Sequence, residues 1–342
     1  MPRGDLRNLT HEELEALVAE LGEPKFRVKQ LEEWLWTKAV RSFDEMTNLS
    51  KGLRSALAES YSLAWPEVVS KQVSEDGTHK YLLKFADGAS AECVAMPSRD
   101  HLSVCVSTQA GCAMGCAFCA TGMLGLERSL TAAEIYLEAM VARDDMGLRV
   151  SSVVFMGQGE PFANYDEVMR ALRLFNSPVG AGIGARHLTV STCGIIPQIA
   201  RFSNEPEQFT LAISLHSAVQ ETRNRLMPGV RRWSLVHLHS VLVDYADKTG
   251  RRPTYEYALI AGINDTEPEI QALCDFCEGT LAHVNLITLN NVPGSPFSPS
   301  APGKAEEVVR RLARIGVEAT VRKSRGADID AACGQLKQRI KK

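Results

Sequence analysis

No stretch of the 342-residue chain approaches the roughly 18 consecutive apolar residues that a membrane-spanning helix needs. The opening MPRGDLRNLTHEELEALVAELG is charged and helical in pattern, with no apolar signal core. The expectation is a cytoplasmic protein with no membrane partner. A basic excess is also missing, since 38 Lys and Arg face 41 Asp and Glu for a formal net charge of −3. A long nucleic-acid footprint normally shows as a basic balance, so any phosphate contacts must come from local patches. Lys25, Arg27 and Lys29, then Arg231 and Arg232, then Arg322, Lys323 and Arg325 followed by KQRIKK are the candidates. Each taken alone reads first as a solvated surface run. Internal repeats and low-complexity segments are absent, and marked Pro and Ser content is confined to NVPGSPFSPSAPG. With 45% hydrophobic and 23% charged residues, the composition excludes a disordered or fibrous chain.

At roughly 150 residues per domain, this length suits one large domain with a smaller appendage. From about Thr10 to Tyr61 apolar residues recur at helical spacing, as in Leu14, Leu17, Val18 and Leu21, which predicts a helical accessory domain over 1–64. Alternation in KYLLKF and ASAECVAM, with DG turns at Asp76 and Asp87, predicts a small antiparallel sheet linking the two parts over 65–101. From 102 to 342, the β-rich runs SVCVST, SSVVFMG, HLTVST, FTLAISLH, TYEYALI and HVNLITL alternate with amphipathic helical segments. Strands alternating with helices imply parallel βα units. Six such units fit an α/β fold of the incomplete (βα)6 barrel type, whose chemistry belongs at the strand C-terminal ends.

Nine cysteines are many for a reducing compartment, so metal or thiol chemistry explains them better than disulfides. GCAMGCAFCATG, directly after the first barrel strand, spaces Cys112, Cys116 and Cys119 as C-x3-C-x2-C. Three thiolates on one short loop can hold three irons of a 4Fe-4S cluster, with Gly111 and Gly115 easing the wrap. The fourth iron is then open to the amino and carboxylate groups of S-adenosylmethionine (SAM), whose sulfonium the cluster can reduce. This pattern resembles the signature of the radical SAM superfamily. The competing reading is a structural zinc site completed by Cys105 or a distant histidine. Cys274 and Cys277 lie within one helical run, PEIQALCDFCEG, and read as buried helix residues.

Polar or glycine residues close the later strands. GQGEP supplies Gly159, where main chain can approach a ligand, and Glu160, which can accept from the SAM ammonium. STCG supplies Ser191, SLH supplies Ser214, Leu215 and His216, and the sixth strand leads to Asn290. Hydroxyls at strand ends often only cap the next helix. Four such positions around one cysteine loop point instead to a cofactor rim.

The runs GCAMGCAFCATG, GQGEP, STCGIIP, SLHS, RLMPG, YEYALI with GIND, and RGADIDAACGQL together resemble the radical SAM RNA adenine methyltransferase family over nearly the whole chain. FRVKQLEEWLW and FDEMTNLSKGLR resemble that family's accessory domain. The family's enzymes act on adenine carbon 2 of 23S rRNA and often of tRNA, and a resistance branch acts on carbon 8 of the same rRNA adenine. The resemblance implies one 4Fe-4S cluster, two SAM molecules per turnover, Cys333 as a methyl carrier, Cys105 as the thiol that frees the product through a transient disulfide, and Glu92 as proton acceptor. It also implies an electron donor such as flavodoxin and a monomeric enzyme. Read without the resemblance, Cys105 is a buried strand thiol and Glu92 an ion-paired carboxylate. Trp233, Arg231 and Arg232 are candidate supports for a splayed base, and Arg27, Lys29, Lys51 and Arg54 candidate backbone contacts. The sequence departs from the family pattern at Gln158, commonly methionine, and at TLNNVPGSPFSPS. The contrasting class is an iron-sulfur electron carrier or RNA-binding scaffold without turnover, which needs neither Cys105, Cys333 nor GQGEP.

Overall fold

The computed structural model describes residues 4–336 except 291 and 293, so the KQRIKK tail lies outside the described residues. Helices α1 (His11–Glu20), α2 (Phe26–Glu32) and α3 (Lys51–Ser60) open the chain, and a π turn over Glu33–Thr37 extends α2. Thr10 and Glu13 form a capping box that satisfies the first free amides of α1. Arg7 is fully buried beneath these helices and donates to the carbonyls of Leu35, Val40 and Ala64.

Strands β1 (Glu67–Val73), β2 (His79–Lys84), β3 (Ser90–Ser98) and β4 (His101–Cys105) follow as an antiparallel meander. A separate hairpin, β5 (Gln109–Cys112) with β6 (Gly125–Ser129), brackets the cysteine loop. The chain then alternates: α4 (Ala132–Met146), β7 (Arg149–Phe155), α5 (Tyr165–Asn176), β8 (Leu188–Thr192), α6 (Ile196–Phe202) and β9 (Thr210–Ser214). Next come α7 (Gln220–Leu226), α8 (Leu235–Thr249), β10 (Thr254–Leu259), α9 (Glu267–Cys277), β11 (His283–Thr288), α10 (Lys304–Arg314) and β12 (Glu318–Arg322). Helices α4 and α8 begin at Thr131 and Ser234 caps and end at Gly147 and Gly250 in the left-handed region, as their sequences dictate.

The main sheet runs β1-β2-β3-β4-β7-β8-β9-β10-β11-β12, with every pair from β4 onward parallel. Six βα units are therefore present, as the spacing predicts, and α10 leads to a further parallel strand, β12, that the apolar runs do not reveal. Its sequence EATVR is partly exposed throughout, so it lacks the continuous apolar run that betrays a buried parallel strand. The 65–101 segment, expected as a small antiparallel sheet linking the two parts, is antiparallel and continues through β4 into the barrel sheet. Period-two alternation identifies a strand but not its partner.

The amino-terminal helices share one apolar core with the barrel. Trp36 meets Tyr136 of α4 edge to face at 5.4 Å, Tyr136 Oη donates to the Trp36 carbonyl, and Arg170 of α5 donates to the carbonyl of Leu9. No helix among the described residues is long and apolar enough to cross a membrane. Replacing Arg7 by alanine strands three carbonyls in this layer, so Arg7→Ala should lower stability by about 3 kcal/mol. A clear drop in the denaturant midpoint checks this, and an unchanged midpoint contradicts it.

Candidate active site

Two adjoining cavities open where the parallel strands end. The first, about 1020 Å³ including its mouth, is lined by Cys112, Cys116 and Cys119, and by Gly159, Glu160, Ser191, Ser214, His216, Asn290 and Cys333. The second, about 980 Å³, holds Cys105 with Val94 and Met96. Cys119, Met156, Arg322 and Cys333 line both. Cys333 thus stands at the boundary between the cysteine loop and Cys105, and all nine cysteines are free thiols.

The cysteine loop is fixed from both sides. Gly111 and Gly115 take left-handed backbone, the amide of Ala117 donates to the Leu226 carbonyl, and the amide of Ala120 donates to the Gly334 carbonyl. Burial pushes the Cys112 thiol up to about 11, opposed by the Met114 amide, and raises Cys116 well above its ordinary value. Burial thus favours the neutral thiols, and binding a metal centre favours the thiolates. Among the described residues no three His, Cys, Asp or Glu side chains converge on a single-ion site. Cys112, Cys116 and Cys119 all line this cavity from one loop, the arrangement by which three thiolates hold a 4Fe-4S cluster. Cys274 and Cys277 sit buried on α9, away from this cavity.

Glu160 is buried, and its carboxylate accepts from Thr192 Oγ1 (2.6 Å), the Cys193 amide (2.8 Å) and the Phe162 amide (2.9 Å). Burial raises its pKa, and these donors oppose the rise. The carboxylate still faces the cavity but is already gripped by the ends of β7 and β8, so an ammonium would be an additional partner. At Gly159, φ is +104°, and a Cβ would lie 2.7 Å from the Gln109 side chain, so the chain passes here only as glycine.

Ser191 and Ser214 place their hydroxyls 3.4 Å apart on neighbouring strands. His216 has φ +54°, and burial pushes its pKa down to about 3, with Arg223 adding to the shift, so the ring is neutral. Its Nδ1 accepts from the Ala258 amide at 3.0 Å, which leaves Nε2 as the protonated nitrogen, and Phe118 of the cysteine loop meets the ring edge to face at 4.8 Å. Asn290 donates to the Cys333 carbonyl at 3.2 Å. Leu215 lies between the two rim residues Ser214 and His216, with its side chain fully buried in the core.

Cys105 ends β4 opposite Val94 of β3. Burial, reinforced by Cys333, pushes its thiol up to about 12, and Arg322 works against the rise. Glu92 lies on β3, buried, with Lys80 Nζ 3.5 Å from its Oε1, and it lines neither cavity. It is two residues from Val94 and on the same face of the strand, which places it beneath the second cavity. Gln158 is buried and accepts from the Glu92 amide through its Oε1.

Several contributors escape sequence reading. Thr192 orients Glu160, Asn264 of GIND donates to the carbonyls of His216 and Ala258, and Glu256 lines the first cavity while accepting from Asn285. A glutamate inside TYEYALI, an otherwise apolar strand, was the one available signal. Among the basic candidates, Arg27 of α2 donates to Glu23, Gln30 and the Asn48 carbonyl, and Arg54 of α3 donates to the Asp44 carbonyl, so both tie their helices to the neighbouring segments. Lys29 and Lys51 are exposed, and Arg232 lies over the Trp233 ring at 4.1 Å.

This geometry agrees with known proteins. A model described as the radical SAM superfamily matches residues 106–277, and one described as the ribosomal RNA large subunit methyltransferase N-terminal domain matches residues 4–63. A probable dual-specificity RNA methyltransferase RlmN of Clostridium perfringens (strain 13 / Type A) is 44% identical, covering 98% of this chain and 96% of the relative. The dual-specificity RNA methyltransferase RlmN of Nitratidesulfovibrio vulgaris (strain DP4) is 45% identical over 97% and 94%. The crystal structure of a radical SAM methyltransferase from Sphaerobacter thermophilus superposes with a TM-score of 0.92 at 42% identity, covering 98% and 99% of the two chains. The chain belongs to the radical SAM superfamily and, within it, to the dual-specificity RNA methyltransferase RlmN family. The superfamily's cofactors are a 4Fe-4S cluster and SAM.

Anaerobically prepared protein should carry one 4Fe-4S cluster, and the Cys112→Ala, Cys116→Ala, Cys119→Ala triple variant should carry none. Iron and sulfide analysis checks this. A full cluster in the variant, or zinc in the unaltered protein, contradicts the assignment.

Proposed function

We propose that this chain methylates carbon 2 of an adenine in the peptidyl transferase region of 23S rRNA and of the adenine 3′ to the anticodon in tRNAs. The observation that carries the reading is Cys333 at the shared wall of the two cavities, between the cysteine loop and Cys105. A scaffold without turnover has no use for two thiols so placed. The dual-specificity description of the relatives supports two kinds of RNA substrate, and the ribosomal RNA large subunit description of the amino-terminal model supports rRNA as one of them.

The carbon between two ring nitrogens is electron-poor and cannot attack a SAM methyl group as an amine would. Cluster and SAM, when bound, supply the one-electron chemistry that activates an otherwise inert C–H bond. Cys112, Cys116 and Cys119 would hold the cluster, and Gly159, Glu160, Ser191, Ser214, Leu215, His216 and Asn290 would orient SAM.

The protein's own groups handle the methyl. Cys333 Sγ takes it as a nucleophile and carries it to the base, so that enzyme and RNA are joined through sulfur and one carbon. Glu92 holds the ring proton that leaves. Cys105 then attacks Cys333 Sγ: an S–S bond forms, the S–C bond breaks, and its electron pair stays on the transferred carbon, which takes a proton to become methyl. A thiol reductant reopens the disulfide. The raised Cys105 pKa keeps this thiol protonated until the adduct forms beside it.

In the same reading, residues 1–64 form an RNA-binding accessory module, 65–101 a linking segment and 102–342 the catalytic domain. The enzyme works as a cytoplasmic monomer fed by an electron donor such as flavodoxin. Cys105→Ala should trap a covalent protein–RNA adduct, and Cys333→Ala should form none and methylate nothing. A denaturing gel with labelled RNA reads both. Normal turnover by the Cys105 variant, or methylation by the Cys333 variant, contradicts the two-thiol route.

A further inference from the structure

The segment after β12 that carries Cys333 rests on the antiparallel extension of the sheet. The turn between β1 and β2 grips it: Ser74 Oγ donates to Asp328 Oδ1 (2.5 Å), the Glu75 amide to Asp328 Oδ2 (3.2 Å), and the Gly326 amide to Asp76 Oδ2 (3.1 Å). From β2, Lys80 Nζ donates to the Asp330 carbonyl at 3.1 Å. Ser74 and Lys80 are buried although β1 beside them is exposed along its whole length. Ile329, Ala331 and Leu336 pack against Val94, Met96 and Cys105 in a small apolar cluster separate from the main core.

The backbone shows that the fit is constrained. Asp330 is held at φ +53°, a left-handed conformation that non-glycine residues adopt uncommonly and that the surrounding contacts here hold in place. Gly326 has φ +63°, and a Cβ there would lie 2.8 Å from Ala331 Cβ and 3.0 Å from Thr78 Cγ2. On the opposite side, Thr121 Oγ1 donates to the Leu336 carbonyl at 2.7 Å. The segment is thus held on one side by the cysteine loop and on the other by a hairpin that lines neither cavity with any of its turn residues.

We propose that the β1–β2 turn and Lys80 form a latch for the Cys333 segment, with Ser74, Asp76 and Lys80 as positioning residues that set the carrier thiol at the boundary between the two cavities. The latch itself follows from the contacts, while its role in catalysis rests on the reading of Cys333 as the methyl carrier. Lys80 has a second task. Its ammonium also pairs with Glu92 at 3.5 Å, so one side chain holds both the proton acceptor and the carrier segment. A thiol that must meet SAM, the base and Cys105 in turn depends on this register, since a misplacement of about 1 Å can cost roughly 100-fold in rate.

The test uses the cluster-loaded, full-length protein with Asp328→Ala, whose side chain is exposed, and with Lys80→Met and Lys80→Arg. Hydrogen exchange of the 326–336 peptide should accelerate at least tenfold in Asp328→Ala and Lys80→Met, with the barrel strands unchanged. Oxidised glutathione should form the Cys105–Cys333 disulfide at least tenfold more slowly in both. Methyl loading of Cys333 should slow at unchanged KM for SAM, and Lys80→Arg should restore part of it. Unchanged exchange and unchanged disulfide formation in Asp328→Ala overturn the latch, even if Lys80→Met fails to fold. An unaltered protein that never carries a methyl on Cys333 overturns the proposed function instead, and the exchange and disulfide measurements still decide the latch.

Discussion

A parallel ladder sends every strand's carboxyl end to the same edge, because each crossover helix returns the chain to the opposite edge before the next strand begins. In this chain that geometric constraint gathers residues from four strand ends, Cys105, Glu160, Ser191 and Ser214, into one region. The hydrogen-bonded ladder then continues without a break into the antiparallel strands, so β3 and β4 stand in fixed register beside β7. Cys105 and Glu92 are therefore held by the same frame as the cysteine loop, and the segment after β12 closes the arc by folding back across to β2 and β3.

Polar groups buried at this edge are costly unless each finds a partner. Glu160 meets that demand through Thr192 and Cys193 at the end of β8 and the Phe162 amide, whereas Gln158 accepts from the Glu92 amide through Oε1 but leaves its buried Nε2 without a partner among the described residues. The rim is consequently organised before any cofactor arrives, as electrostatic preorganisation requires. The thiols differ. Burial raises the pKa of Cys105, Cys112 and Cys116 and so favours their neutral form.

Much of this was legible in the residues. The cysteine spacing, the six apolar runs and the small polar residues that close them each carry a local physical signal, and the structure puts them on one edge. What escaped had no local signal. β12 lies at the sheet margin and is partly exposed, α6 and α7 are too short to show a period, and the β1–β3 partner is a tertiary fact. The charge of Arg27 and Arg54 is visible in sequence, whereas the intramolecular hydrogen bonds they make are not. The family resemblance supplied the roles of Cys105, Cys333 and Glu92, which composition and spacing left open.

The central claim is that the thiol between the two cavities delivers a methyl group to carbon 2 of adenine. The most direct measurement is mass spectrometric mapping of methyladenosines in 23S rRNA and tRNA from cells with and without this chain. The account predicts 2-methyladenosine at one rRNA position, and at the adenine 3′ to the anticodon in some tRNAs, only when the chain is present. Carbon 8 methylation in place of carbon 2, or identical RNA from both strains, would contradict it.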